Sequence, residues 1–205
     1  MNHFFDVNTS VNYIVQVFPL ALTVAIVYML SKCSKVRNNK IVLENMYIES
    51  AKLIFVFYFA GLIGLKMTTP NFWSHFWALV LHGRFELSFQ DFFSGAFSFR
   101  PTITFLLTGK ITSGVWVKTL LIGNIIMFIP FGLLLPLIRE QKTFRYVIKC
   151  CFFVSLIIEI LQPILGRSFD IDDVLCNVIG AIIGFCIFTV AHNASFTFST
   201  KYGKA

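Results

Sequence analysis

Five apolar blocks, each long enough to cross a membrane, dominate this sequence and restrict what it can fold into. An α-helix needs roughly 20 apolar residues to span the hydrocarbon core of a bilayer. The blocks are residues 12–30, 51–67, 115–138, 146–165 and 174–191. Hydrophobic residues make up 57% of the 205 positions and charged residues only 13%, which is about half the charged share of a soluble domain. We therefore predict an all-α, multi-pass protein of the cell membrane, with residues 1–205 forming one domain.

The distribution of basic residues predicts how the chain is oriented. Lys and Arg concentrate on the cytoplasmic side of membrane proteins. The segment before the first block carries Asp6 without Lys or Arg, and the loop after the fourth carries Arg167 against three aspartates. Basic residues instead follow the first block, separate the third from the fourth, and end the chain: Lys32, Lys35, Arg37, Lys40, Arg139, Lys142, Arg145, Lys149, Lys201 and Lys204. The amino terminus is predicted outside and the carboxyl terminus inside.

Composition also argues against several kinds of partner. The formal net charge is +7, but most basic residues flank apolar blocks, where they set orientation and meet anionic lipids. Membrane lipids rather than nucleic acid are the expected partners. The five cysteines show no CxxC or Cys/His spacing typical of a metal site. We predict neither a metal nor a cofactor.

The connection between the second and third blocks, residues 68–114, is rich in aromatic residues. Trp and Phe at this density favour the interface between lipid headgroups and acyl chains. Part of the connection, residues 71–81, is predicted to lie as a helix on the outer leaflet.

Polar side chains interrupt the last three blocks or lie directly beside them. They are Asn124, Glu159, Gln162, Arg167, Asp170, Asp173 and Asn177. A carboxylate in the bilayer core costs at least a few kcal/mol, so it is a candidate functional residue. From the helical rise of 1.5 Å, Asn124 lies ~13 Å below the outer end of its block and Glu159 about 9–10 Å below the end of its own, while Asp173 lies at the outer rim. If these helices are neighbours, their polar side chains line one recess open to the outside.

Each of these residues also has a structural interpretation. Glu159 needs a cation, hydrogen-bond donors or a proton at that depth, and Arg167 is its nearest candidate partner in the sequence. Asp172 is interpreted as a solvated charge at the rim. Asn124, Gln162 and Asn177 would equally be explained by hydrogen bonds between helices. The predicted packing residues are Phe128, Pro130, Gly132 and the GxxxG pair Gly180 and Gly184.

The ordered set of polar and glycine positions resembles the VanZ-like family of bacterial membrane proteins. The matching elements are Asn124-x3-Phe128-x-Pro130-x-Gly132, Glu159-x2-Gln162, Arg167-x2-Asp170-x2-Asp173 and Asn177-x2-Gly180-x3-Gly184. The resemblance covers residues 99–188 and does not extend well to the first two blocks. It implies a polytopic membrane protein associated with low-level resistance to teicoplanin, a lipid-bearing glycopeptide, and it implies no defined reaction.

Three functions remain open at this stage. The leading one is a non-enzymatic protein that alters how a lipoglycopeptide engages the outer membrane surface, with the polar recess as its binding site. The alternative is an intramembrane enzyme acting on a lipid-linked envelope precursor, with Glu159 as acid/base and with Asp170 and Asp173 as further catalytic candidates. A small transporter or assembly partner is the third, although five spans without inverted repeats are unusual for a carrier.

Overall fold

The fold consists of long helices that match the five apolar blocks. The computed structural model describes residues 7–37, 46–67, 76–77, 79–83, 97–98, 115–139, 143–165 and 167–202. Within these ranges it contains α1 (Val7–Arg37), α2 (Met46–Met67), α3 (Val115–Ile138), α4 (Phe144–Leu161) and α5 (Ile171–Tyr202). Each helix includes a segment long and apolar enough to cross a membrane. The prediction of an all-α, multi-pass membrane protein with five spans is confirmed.

Two helix ends differ from the prediction where α4 is followed by α5. The α-helical part of α4 ends at Leu161 rather than at residue 165, and the chain continues as a 3-10 turn over Gln162–Leu165. Pro163 has no N–H and cannot donate to the Glu159 carbonyl, which explains the end of the regular helix. Helix α5 begins at Ile171 rather than at residue 174, so Asp173 belongs to its first turn.

Helices α3 and α5 make the most extensive contact in the bundle, and glycine makes this contact possible. A Cβ atom built on Gly132 of α3 would lie 2.7 Å from the carbonyl carbon of Ala181. A Cβ atom on Gly184 of α5 would lie 2.9 Å from the backbone nitrogen of Leu133, and one on Gly180 would also clash with the α3 backbone. Both helix backbones therefore approach to a distance that no larger residue allows at these positions.

Aromatic residues fill the core between α2 and α3. The ring of Phe131 lies 5.9 Å from that of Phe55 and 6.5 Å from that of Phe59, centroid to centroid. Phe128 is fully buried beside them. The hydroxyl of Tyr58 donates a 2.7 Å hydrogen bond to the carbonyl of Met127. These contacts hold α2 along α3 and bring its last turn to the end of the bundle where the polar residues lie.

Helix α1 packs mainly against α2, through small residues. Ala21 and Ala25 are buried, and the Cβ atom of Ala21 lies 3.8 Å from the position of a Cβ on Gly61. Residues 76, 77 and 79–82 are helical, and the indole of Trp77 donates to the carbonyl of Gln16 at 3.0 Å. The other residues of the predicted outer-leaflet helix at 71–81 lie outside the described residues.

A short parallel strand pair connects the long loop to the start of α5. Strand β1 (Phe97–Ser98) pairs with β2 (Phe169–Asp170), with Phe97 opposite Phe169. This pairing places part of the aromatic loop next to the segment that carries Asp170.

Candidate functional site

The polar side chains converge on Lys66, the penultimate residue of α2. Its Nζ lies 3.4 Å from Oε1 of Glu159 on α4 and 3.0 Å from Oδ2 of Asp173 on α5. Lys66 is only 2% exposed and Glu159 is fully buried. Burial of a charge costs several kcal/mol unless the charge is paired, so this arrangement constrains how the three helices assemble.

Asn124 adds α3 to the same group. Its Nδ2 donates a hydrogen bond to Oδ1 of Asp173, so each oxygen of the Asp173 carboxylate has a partner. We call Lys66, Asn124, Glu159 and Asp173 the charged cluster. The side chain of Asp173 is 21% exposed, and the cluster is therefore open to its surroundings at this residue.

Gln162 and Arg167 bind the backbone at the carboxyl end of α2, next to Lys66. The last carbonyl groups of a helix have no donor within the helix. Gln162 Nε2 donates to the carbonyl of Lys66 at 3.0 Å, and Arg167 Nη1 donates to the carbonyl of Leu65 at 3.1 Å. The guanidinium charge at the carboxyl end of α2 is also favourable for the helix dipole. Both residues thus fix the position from which the Lys66 side chain extends.

The predicted partner of Glu159 was wrong. The cation in contact with Glu159 is Lys66, whereas the guanidinium of Arg167 contacts the carbonyl of Leu65. The predicted difference in depth between Glu159 and Asp173 was also wrong, since one amino group contacts both carboxylates. The reason is the early end of α4 and the early start of α5, which bring the two residues to the same level.

A second polar contact joins α4 and α5 one turn deeper. Asn177, four residues after Asp173, donates from Nδ2 to Oγ of Ser155 at 2.7 Å, and Ser155 lies four residues before Glu159. Asn177 and Ser155 are both fully buried. The thiol of Cys151 donates to the carbonyl of Asn177 at 3.5 Å. The contact between Ser155 and Asn177 thus lies one helical turn further into the bundle than the charged cluster.

Asp170 and Asp172 form the amino-terminal cap of α5. The backbone N–H of Asp172 donates to Oδ1 of Asp170 at 3.0 Å, the contact expected of a capping aspartate. Partial burial raises the pKa of the Asp170 carboxyl above its ordinary value, and the nearby charges of Asp173 and Asp172 act in the same direction. The interpretation of Asp172 as a solvated rim charge was wrong, because this residue is only 1% exposed.

Sequence reasoning missed Lys66 and Ser155. Lys66 nevertheless carries a recognisable signal, because it is a lysine within an apolar span at the end predicted to face outside, where basic residues are not expected. Ser155 gives no such signal, since an isolated serine is common in membrane helices. Among the described residues, no group of three or more His, Cys, Asp or Glu side chains is placed to hold a metal.

The charged cluster is buried and joins four of the five spans. The protein is therefore a multi-pass α-helical membrane protein with a polar site between its helices. The sequence model of the VanZ/LLP1 family matches residues 14–192, and the chain belongs to this family. The match is wider than the predicted residues 99–188 and includes α2 with Lys66.

One curated relative carries a name from the same family. Protein VanZ of Enterococcus faecium is 34% identical to this chain over 73 residues, which are 35% of this chain and 45% of that protein. The chain therefore matches less than half the length of this relative. No solved structure matches the chain at a significant level.

Proposed function

We propose that this VanZ-like membrane protein lowers the susceptibility of the cell to lipid-bearing glycopeptides such as teicoplanin, and that it acts at the outer membrane surface. The observation that carries the proposal is the opening of the charged cluster at Asp173, which is 21% exposed while Lys66 and Glu159 are buried. By the distribution of basic residues, this end of the bundle faces outside. Membership of the VanZ/LLP1 family supports the same assignment.

The surface next to this opening suits an amphiphile. Ile160, next to Glu159 in α4, and Ile164, in the 3-10 turn that follows, are 50% and 52% exposed. An acyl chain can lie along this apolar surface while a polar headgroup meets the Asp173 carboxylate, so a lipid-bearing ligand gains contacts that a lipid-free one lacks. The protein would act by binding, and no reaction is required.

Antibiotic susceptibility tests this proposal. Expression in a susceptible host should increase tolerance to teicoplanin more than to vancomycin, which lacks the lipid. Asp173→Asn should reduce the effect, because it removes the charge at the opening. Glu49→Gln is the matched control: it makes the same chemical change near the first turn of α2, where Glu49 pairs with Lys32 and Lys52.

Each variant must first be shown to reach the membrane in equal amount. Equal protection against both antibiotics would contradict the role of the lipid, and absent protection would contradict the function. If the Asp173→Asn variant protects as well as the wild type, the charge at the opening of the cluster is not needed for the function.

A further inference from the structure

Two lysines from different helices converge on one glutamate at the end of α2 that lies opposite to Lys66. Lys32, near the end of α1, contacts Oε1 and Oε2 of Glu49 at 3.2 and 3.1 Å. Lys52, three residues after Glu49 in α2, contacts Oε1 of the same carboxylate at 3.4 Å. We call Lys32, Glu49 and Lys52 the inner group, because this end of the bundle is predicted to face the cytoplasm.

The inner group holds two amino groups within reach of one anion. Both contact the same atom, Oε1 of Glu49, so the distance between the two Nζ atoms cannot exceed the sum of 3.2 and 3.4 Å. A single phosphate group, which accepts hydrogen bonds through several oxygens, can bridge two donors at such a separation. The side chains of Lys32 and Lys52 are 24% and 23% exposed. Both lysines are therefore accessible from outside the protein.

The segments predicted to face the cytoplasm carry a large excess of positive charge. Residues 32–52, 139–149 and 201–204 contain eleven of the 17 basic residues and three of the ten acidic ones. This excess does not depend on which contacts the individual lysines make, because every acidic residue of these segments is counted. An anionic partner is therefore favoured over a neutral or cationic one at this end of the protein.

The inner group also lies at the depth of lipid headgroups. Lys32 is close to the end of the first apolar span, and Glu49 is close to the start of the second. Apolar side chains beside them are exposed: Leu30 by 60% and Met46 by 82%. Acyl chains can cover these side chains while a headgroup meets the lysines. The amino-terminal end of α2, at Met46, is also favourable for an anion because of the helix dipole.

We propose that the inner group binds the phosphate of an anionic phospholipid, with phosphatidylglycerol as the test case, where α1 meets α2. Lys32 and Lys52 donate to the phosphate oxygens, and Glu49 holds the two amino groups together. An ammonium group has three N–H donors, so a lysine can contact Glu49 and a phosphate at once. Phosphatidylcholine is a poorer ligand, because its trimethylammonium group adds positive charge where the protein already has an excess.

The bound lipid would stabilise the contact between α1 and α2. Helix α1 packs mainly against α2, so the stability of this pair should depend on the lipid composition of the membrane. This inference goes beyond the proposed function, because the lipid site would exist whether or not the protein acts on glycopeptides. Its test uses no antibiotic.

The test is the thermal unfolding of the purified full chain in detergent micelles that contain increasing amounts of phosphatidylglycerol. Phosphatidylcholine at the same total lipid concentration is the reference, and ionic strength is constant. The wild-type midpoint should rise by about 4 °C with phosphatidylglycerol and then saturate, and it should rise less with phosphatidylcholine. Equal midpoints in the two lipids overturn the site. Inorganic phosphate is a further arm, and a full rise with phosphate alone overturns the assignment to a lipid.

Single substitutions locate the effect. Lys32→Gln should lose at least half of the shift caused by phosphatidylglycerol, whereas Lys32→Arg should keep it. Lys35→Gln is the matched control and should also keep the shift, since it removes the same charge from an exposed position in the last turn of α1. If Lys32→Gln does not fold, Lys52→Gln and the wild-type titration decide. An equal loss in Lys32→Gln and Lys35→Gln overturns the proposal, because general surface charge then attracts the lipid.

Discussion

The Nζ atom of Lys66 lies 3.0 Å from Oδ2 of Asp173, although 107 positions separate the two residues in the chain. This contact makes α2 part of the polar site formed by the last three spans. The residues that match the VanZ/LLP1 family, 14–192, include both partners of this contact.

Lys66→Met should strongly destabilise the protein. The substitution leaves the buried carboxylate of Glu159 without its cation, and loss of one partner of a buried ion pair costs about 3–5 kcal/mol. Lys52→Met is the matched control, since Lys52 and Glu49 form a partly exposed pair for which the expected loss is about 0–1 kcal/mol. Chemical unfolding in detergent measures both free energies of unfolding.

A double substitution separates the charge from the packing. Lys66→Met with Glu159→Leu should be less destabilised than Lys66→Met alone, because no unpaired buried carboxylate remains on α4. If Lys66→Met and Lys52→Met cost the same, the charged cluster does not stabilise the bundle as described.

Gly132→Ala should disrupt the contact between α3 and α5. The added methyl group would overlap the backbone of α5 at Ala181, and the expected cost is about 3 kcal/mol, the upper end of ordinary overpacking. Gly123→Ala in the same helix has no atom within 4 Å of its new Cβ. That change should be neutral or stabilise by up to about 1 kcal/mol, because alanine favours the helix.

Thermal unfolding of the two alanine variants in the same detergent provides the comparison. Equal midpoints would show that the backbones of α3 and α5 are not in close contact at Gly132.

The predicted orientation places Ser168 outside and Cys33 inside. Ser168 is exposed between α4 and α5, and Cys33 is exposed near the basic end of α1. In a background without other cysteines, a membrane-impermeant maleimide should label Ser168→Cys in intact cells and should label Cys33 only after lysis. The reverse pattern would invert the topology and remove the outer surface as the place of action.

Asp170→Asn should stabilise the protein at neutral pH and have little effect in acid. Burial raises the pKa of Asp170 in the folded state above its ordinary value of 3.8, so the folded protein binds this proton more tightly than the unfolded chain. The stability contributed by the group is therefore fully present below that ordinary value and is lost as the pH rises through the folded-state pKa. Asparagine keeps the capping oxygen without the charge.

Thermal midpoints of the wild type and Asp170→Asn, measured from about pH 3 to about pH 8, test this. The two curves should converge at the acid end and separate towards neutral pH, with the variant higher. A variant that is less stable at every pH would show that the charge of Asp170 is favourable in the folded state. The charged residues Asp172, Asp173 and Lys66 are the same in both proteins, so the difference between the two curves reports on Asp170.

The amino-acid sequence by itself determined the membrane class and the number of spans. Each apolar block is long enough to require a helix within the bilayer, and the observed bounds of α3 are the same as the predicted residues 115–138. The spacing of Asn124, Glu159, Asp173 and Asn177 also carried the family resemblance. These properties are local, since they depend on residues that lie close together in the chain.

Only the tertiary structure decided which polar residues meet. Lys66 and Glu159 are 93 positions apart, and no periodicity within one helix reveals that they form a pair. The burial of Asp172 and the contact of Ser155 with Asn177 likewise depend on how neighbouring helices are placed. The physical reason is that a buried charge takes its partner from whichever helix packs beside it. Which helices pack together is a property of the whole bundle, as the close approach of α3 and α5 at Gly132 and Gly184 illustrates.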